Sequence, residues 1–165
     1  MEALSKAHRR KGFSCGNERI DRYFREAVTQ DIKRRYATCF VAKDVETGRV
    51  AGFYTLSSSN VPLMAVPKPL ANRLPRYPTV PAVLIGWLGR DQSYAGLGLG
   101  EALLFDAIKT VAEAPIGAHA IFAEAIDEKA AAFYAAFGFT ALTDRPNTLY
   151  LPVGTAQHLM SGEAP

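Results

Sequence analysis

The chain has 165 residues, 48% of them hydrophobic and 21% charged, with a formal net charge of +3 at pH 7. This length and composition predict one compact domain over residues 1–165 and exclude wholesale disorder. The longest nearly uncharged apolar run, 80–89, has about half of the roughly 20 residues that a membrane-spanning helix needs. We therefore expect no membrane span, and no secretory signal is recognisable.

The two cysteines, Cys15 and Cys39, lie far apart, and neither belongs to a CxxC or CxxH pair. That spacing argues against a structural zinc site, and we expect no metal. Two free thiols suit a reducing compartment, so a cytoplasmic location is expected.

Positive charge is concentrated near the amino terminus. Residues 1–36 carry ten Lys or Arg against five Asp or Glu, whereas residues 37–165 carry nine against eleven. A basic segment of this kind can bind a polyanion or can form an ordinary solvated helix face. Its densest part is Lys33-Arg34-Arg35, and composition leaves both interpretations open.

The first half of the chain predicts a helix and a hairpin. Asn17 or Gly16 can cap a helix over 18–36, whose apolar face has helical spacing: Ile20, Tyr23, Phe24, Ala27 and Val28. Two strands over 38–43 and 49–57 follow, joined by a turn at 46–48. Six of the ten prolines then lie between Pro62 and Pro81. That density predicts a loop bordering a site instead of a regular helix or central strand.

The second half predicts alternating strands and helices. A short buried strand over 82–88 leads through a glycine-rich turn into a helix over 101–114, followed by a strand over 118–125. The expected buried side of that helix is Ala102, Leu103, Phe105, Ala107, Ile108 and Val111. Asp127 can cap a helix over 128–137 that ends at Gly138, and two strands over 139–142 and 149–151 complete the chain. The pattern predicts an α/β fold with a mixed sheet flanked by helices.

The glycine-rich turn is the first candidate site. Gly96, Gly98 and Gly100 stand between a strand and a helix, an arrangement that lets backbone N–H groups and the helix dipole face a phosphate. No Lys-Ser/Thr follows, so it is not a P-loop, and only Glu124 offers an ambiguous match to the acidic residue of a dinucleotide fingerprint. A phosphate-binding turn and a plain tight turn both fit.

Tyr134 is the second candidate. The helix over 128–137 has Ala130, Phe133, Tyr134 and Phe137 on one face, and core packing explains the phenylalanines. Tyr134 can also belong to the core, or its hydroxyl can lie at the edge of a cleft and protonate a leaving group.

Several segments of the chain resemble one enzyme family. Residues 96–104 after a buried strand, together with 130–139, resemble the Gcn5-related N-acetyltransferase (GNAT) superfamily. Residues 12–18, 51–57 and 78–86 resemble, more narrowly, the GNAT toxins of bacterial toxin–antitoxin pairs. The similarity runs from about Gly12 to Leu151. It implies a GNAT-like, mixed and mainly antiparallel sheet flanked by helices.

The resemblance also implies an activity. Acetyl-CoA would be the donor, with its pyrophosphate on the amides of Gly96, Leu97, Gly98, Leu99 and Gly100 and its pantetheine arm along Leu88, Gly89 and Arg90. The acceptor would be the α-amine of an aminoacyl-tRNA, which blocks translation, and Tyr134 would protonate the CoA sulfur. Lys33, Arg34 and Arg35, then Arg73 and Arg76, are the expected tRNA contacts. A ribbon–helix–helix antitoxin and a homodimer are the implied protein partners.

The chain departs from the family pattern at two positions. Ser93 stands where the superfamily has Gln or Arg, and Trp87 stands where toxin relatives usually have Arg. No general base is evident among His8, His119 and His158. The alternatives are an acetyltransferase acting on a small or protein amine, and a non-catalytic module that binds acyl-CoA or RNA.

Overall fold

The computed structural model describes residues 1–143 and 145–161, apart from the side chain of Leu159. The chain divides into two compact units, residues 1–57 with 86–107, and residues 58–85 with the segment from Ile108 onward. Within the described residues, no helix is both long and apolar enough to cross a bilayer.

The first unit combines four strands with three α-helices, a π-helical turn and a 3-10 turn. The elements are β1 (Glu2–Ala3), α1 (Glu18–Arg22), a π-helical turn (Tyr23–Ala27), α2 (Val28–Lys33), β2 (Thr38–Lys43), β3 (Val50–Pro62), β4 (Thr79–Arg90), a 3-10 turn (Gln92–Tyr94) and α4 (Leu99–Ala112). The strands are bonded in the order β1-β2-β3-β4, and β3, β4 and α4 continue into the second unit. The π-helical turn interrupts the predicted continuous helix.

The helical segment forms where its apolar residues predicted it. The side chain of Asn17 accepts hydrogen bonds from the N–H groups of Arg19 and Ile20, which caps α1. Ile20, Phe24 and Val28 are buried, and the Phe24 ring stacks on Phe53 of β3 at 4.0 Å. The helix ends at Lys33 and not at residue 36, because Arg35 adopts a left-handed conformation (φ 59°) that a helix cannot continue.

The second unit contains the other end of the sheet. Its further elements are a 3-10 turn (Leu63–Ala65), α3 (Lys68–Ala71), β5 (Ala120–Glu124), α5 (Glu128–Ala136), β6 (Thr140–Leu142), β7 (Arg145–Pro152) and α6 (Val153–Ser161). The strands follow the order β4-β5-β7-β6, with β4 parallel to β5 and the other two pairs antiparallel. A cluster including Val61, Val80, Phe122, Leu142 and Tyr150 forms its core.

The mixed, mainly antiparallel sheet flanked by helices is confirmed: among the described residues, β1–β2, β2–β3, β5–β7 and β6–β7 pair antiparallel and β4–β5 pairs parallel. Several local predictions were wrong. The proline-rich segment is not one loop, because β3 and β4 extend into it through Pro62 and Pro81 and it contains α3. In α4 the helix begins at Leu99, Ala102 and Phe105 are exposed although they were predicted to be buried, and Leu104 is buried. Strand β1 and helix α6 were not predicted.

Candidate active site

The glycine turn follows directly from β4 in the first unit. Asp91 comes after the last strand residue and caps the 3-10 turn, and Leu99 begins the 14-residue helix α4. Gly96 and Gly98 have φ of +74° and +68°, where any other residue is strained. A Cβ at either position would meet nothing within 4 Å. The glycines are therefore required by the backbone conformation and not by close packing, and the surface above the turn is open.

The N–H groups of this turn have no partner within the described chain. Those of Gly96, Leu97, Gly98, Leu99 and Gly100 donate no hydrogen bond to any described residue. The side chain of Leu97 is 72% exposed, so it does not cover them. Unpaired N–H groups at the amino end of a long helix, with the helix dipole behind them, form a site for an anion such as a pyrophosphate.

A buried carboxylate holds the start of the turn. Asp91 is 4% exposed and accepts hydrogen bonds from the N–H of Ser14, 3.0 Å away, and from the N–H and hydroxyl of Ser93. Burial raises the pKa of this carboxyl, but the hydrogen bonds from Ser93 and Ser14 outweigh it, and the net pKa lies below the ordinary value. Asp91 is thus ionised at neutral pH and joins the 13–16 loop to the turn.

Two further hydrogen bonds fix the elements on either side. The Tyr94 hydroxyl donates to the Asp44 carboxylate at 2.8 Å, which ties the end of the 3-10 turn to the β2–β3 hairpin. The Tyr54 hydroxyl donates to the Asp106 carboxylate at 2.7 Å, which ties β3 to α4. The turn is therefore supported at both ends by side chains of its own unit.

The carboxyl end of β4 is packed closely against the same unit. A Cβ on Gly89 would approach Phe53 to 3.0 Å and Ile20 to 3.1 Å, and one on Gly52 of β3 would lie 3.1 Å from the Gly89 carbonyl. Leu88 and Arg90 are half-buried. The predicted residues Leu88, Gly89 and Arg90 and the glycine turn therefore belong to one compact unit.

Tyr134 lies in the second unit, on α5, which Asp127 caps by accepting from the N–H of Ala130 at 2.7 Å. The side chain is 7% exposed and packs edge-on against Phe133 with ring centroids 5.5 Å apart. Burial raises its pKa to about 12. The hydroxyl donates to none of the described residues. It is therefore a protonated phenol whose hydrogen bond is available to a ligand. Gly138 ends this region at φ +84°, as predicted.

The predicted tRNA contacts fall into two groups. Lys33, Arg34 and Arg35 are exposed together at the end of α2 in the first unit. Arg73 and Arg76 are exposed in the second unit, after α3. The side chains of these five residues make no ion pair with any described residue.

Sequence reasoning missed the residues that hold the turn. Asp91 and Ser93 form a short capping sequence, an Asp followed two positions later by a Ser, and that signal was readable. The contacts of Asp91 with Ser14 and of Tyr94 with Asp44 join distant segments. No local sequence signal marks them.

We expect Asp91→Asn to destabilise the fold at pH 7 by roughly 1.5–3 kcal/mol, because the amide group turns a donor toward the N–H of Ser14 or Ser93. The folded-state pKa is lowered, so the carboxylate stabilises the fold above its unfolded pKa of about 3.9 and stops doing so as the pH falls through the folded value. Urea unfolding of both proteins from pH 7 to pH 3 should show the difference shrinking below about pH 4. A constant difference would mean that packing, and not charge, is the cause.

The sequence is similar to a family of known proteins. The model of the acetyltransferase (GNAT) family matches residues 5–139. A protein of Mycobacterium tuberculosis named tRNA-acetylating toxin is 34% identical over 150 residues, covering 90% of this chain and 88% of the relative. A probable toxin TacT of Sinorhizobium fredii is 28% identical over 162 residues, covering 93% and 90%.

Two solved structures share the fold over nearly their whole length. AtaT complexed with acetyl-methionyl-tRNAfMet superposes with a TM-score of 0.88 at 28% identity, covering 96% of this chain and 97% of that one. A tyrosine-to-phenylalanine mutant of AtaT, bound to the C-terminus of the antitoxin AtaR and acetyl-CoA, gives a TM-score of 0.81 at 25% identity, covering 97% and 96%. The chain belongs to the acetyltransferase (GNAT) family, and its relatives in that family include a tRNA-acetylating toxin.

Proposed function

We propose that the protein is the toxin of a type II toxin–antitoxin pair, and that it transfers the acetyl group of acetyl-CoA to the α-amino group of an aminoacyl-tRNA, which blocks translation. One observation carries the proposal: an open cluster of unpaired N–H groups follows β4 in a chain 34% identical to a tRNA-acetylating toxin. The family match supports one acetyltransferase domain spanning 1–165.

The first unit fits acetyl-CoA. The N–H groups of the glycine turn hold the pyrophosphate, and the dipole of α4 favours its charge. The backbone of Leu88, Gly89 and Arg90 accompanies the pantetheine arm, and an N–H of this segment polarises the acetyl oxygen. Arg90, whose guanidinium donates to the Asp91 carbonyl at 3.2 Å, adds positive charge near the phosphates. The acetyl-CoA complex of the AtaT mutant supports this assignment.

Tyr134 is the catalytic acid in this proposal. Its raised pKa of about 12 keeps the hydroxyl protonated at neutral pH, so it can donate toward the departing CoA sulfur. The proton balance closes because the attacking amine loses one proton as the amide forms, and the tyrosine regains one. No strong base is required, since the amine of an aminoacyl ester is less basic than a lysine and positioning supplies much of the rate.

The basic surface positions the RNA. Lys33, Arg34 and Arg35 are exposed and bear no ion pair with a described residue, so their charges are available to phosphates. Arg73 and Arg76 offer a second cationic contact. Such contacts fix the orientation of the RNA without reading its sequence. The complex of AtaT with acetyl-methionyl-tRNAfMet supports an RNA substrate here.

The proposal includes the protein partners that the resemblance to GNAT toxins implies. A ribbon–helix–helix antitoxin regulates the protein, the enzyme is a cytoplasmic homodimer, and the reaction uses acetyl-CoA without a metal. The antitoxin complex of the AtaT mutant supports a protein inhibitor of this kind.

The direct test uses radiolabelled acetyl-CoA with total charged tRNA, and deacylated tRNA as the control. We expect label on charged tRNA only, released together with the amino acid by mild base. Label on small amines or on proteins, with none on RNA, would replace this proposal with the alternative of a small-molecule or protein acetyltransferase.

Substituting Gly98 with Ala tests the glycine turn. We expect acetyl-CoA to bind at least tenfold more weakly by calorimetry, since a Cβ at φ +68° strains the turn by roughly 1–2 kcal/mol and disturbs its N–H groups. Gly117→Ala is the matched control, because its Cβ would also meet open space but its φ is not positive. If both variants bind acetyl-CoA with equal affinity, the glycine turn is not part of the acetyl-CoA site.

Substituting Tyr134 with Phe tests the acid. We expect kcat to fall by about 10²- to 10⁴-fold, the usual contribution of a positioned acid, with the acetyl-CoA affinity nearly unchanged. Tyr150→Phe is the control, because burial also raises the pKa of that tyrosine. If Tyr134→Phe turns over normally, Tyr134 has a packing role only.

Replacing Lys33, Arg34 and Arg35 together with Gln tests the RNA surface. We expect weaker binding of charged tRNA and a salt-dependence slope reduced by about two to three units, close to one for each lost phosphate contact. An unchanged slope in filter-binding measurements from low to moderate salt would assign this cluster to an ordinary solvated face.

A further inference from the structure

A second candidate site lies in the first unit beside α1. It is an open groove of about 690 Å³ lined by Trp87 of β4 and by residues of the helical segment, including Arg19, Arg22, Tyr23 and Glu26. We call it the Trp87 groove. None of its residues belongs to the glycine turn, and the proposed acetyl transfer assigns it no role.

The floor of the groove is a fixed aromatic surface. The rings of Trp87 and Tyr23 stack with centroids 4.3 Å apart and planes inclined by 13°. The Tyr23 hydroxyl donates to the Asp31 carboxylate at 2.9 Å, which holds that ring, and the backbone N–H of Trp87 donates to the Thr55 hydroxyl at 3.0 Å, which fixes the strand that carries the indole. Tyr23 also begins the π-helical turn, a local feature that is frequent at functional sites. The aromatic surface is therefore held in place before any ligand arrives.

The charges around the groove leave one cation uncompensated. Arg22 pairs with Glu26 at 3.3 Å, and Glu18 pairs with Arg25 at 3.3 Å. The Arg19 guanidinium lies 5.4 Å from the Trp87 ring centroid and has no carboxylate partner among the described residues. An aromatic stack beside a guanidinium that contacts the ring but has no carboxylate partner provides a face for a base and a charge for its phosphate, the combination used to bind single-stranded nucleic acid.

The groove also lies next to the proposed reaction. Trp87 immediately precedes Leu88, and consecutive residues of a strand are about 3.3 Å apart along it. A base stacked on Trp87 would therefore lie near the backbone of the strand segment to which the acetyl group is assigned, on the face of the strand that carries the Trp87 side chain. The unpaired 3′ end of a tRNA carries the amino acid and must reach that segment.

We propose that the Trp87 groove binds the single-stranded 3′ end of the charged tRNA, with one base stacked on the Trp87–Tyr23 pair and an adjacent phosphate bound by Arg19. This inference rests on the proposed function, because it names the part of that substrate which the groove holds. The uncompensated charge of Arg19 favours a nucleotide over the side chain of the attached amino acid, which in most cases is not anionic.

Trp87 is the chain's one tryptophan, so its fluorescence reports on the groove alone. We would titrate the protein, without acetyl-CoA, with a short uncharged RNA ending in CCA. Stacking should quench the emission in a saturable manner. Arg19→Gln should weaken the binding by several-fold, while Lys109→Gln, which removes a cation from an exposed pair on α4, should leave it unchanged. Unchanged emission with the RNA, or quenching by an amino-acid methyl ester alone, would overturn the proposal.

Kinetics of two Trp87 variants provide a second measurement. Trp87→Leu should raise KM for charged tRNA by roughly tenfold, the scale of one lost base stack, with KM for acetyl-CoA unchanged. Trp87→Phe should restore much of that loss, which a merely misfolded variant would not do. If the protein acetylates charged tRNA, but the RNA leaves the Trp87 emission unchanged and the Trp87 variants keep the normal KM for charged tRNA, the role of the groove is contradicted and the proposed function stands. Quenching by the RNA without any acetylation would support the groove and contradict the proposed function.

Discussion

The candidate site depends on one buried carboxylate. Asp91 follows the last residue of β4 and accepts hydrogen bonds from the 13–16 loop and from Ser93, five positions before Gly98. A buried, ionised carboxylate must have several donors to be stable, so it fixes the segments that supply them. The strand end, the loop and the first residues leading to the glycine turn are thus held together before the helix begins.

This anchor gives a physical meaning to a departure from the family pattern. Ser93 stands where the family resemblance leads us to expect Gln or Arg, and both its N–H and its hydroxyl donate to Asp91. In this chain the residue at that position binds the Asp91 carboxylate, and its short side chain extends no polar group toward the open surface of the glycine turn. In the proposed acetyl-CoA site the phosphates would be bound by backbone N–H groups, which do not depend on side-chain identity except where Gly96 and Gly98 need positive φ.

Much of this could be predicted from the sequence because the signals were local. The spacing of Ile20, Phe24 and Val28, the cap at Asn17 and the stop at Gly138 each depend on residues only a few positions apart, and the structure confirms them. The prediction of one loop over the proline-rich segment was wrong because exposed strand positions tolerate proline, and Pro62 and Pro81 occupy such positions in β3 and β4. The predicted burial of Phe105 was wrong because tertiary packing turns Leu104, and not Phe105, into the core. The stack of Tyr23 on Trp87 joins distant residues and left no local signal.

The most direct test of the account is an amide NMR titration of the isotopically labelled protein with acetyl-CoA. The N–H groups of Gly96, Leu97 and Gly98, which donate to no described residue, should gain hydrogen bonds to phosphate and move downfield in a saturable way. Acetyl-pantetheine, which keeps the thioester but lacks the pyrophosphate and the nucleotide, should leave these three resonances in place. Saturable binding of acetyl-CoA that shifts other amides and leaves the turn unchanged would contradict the account.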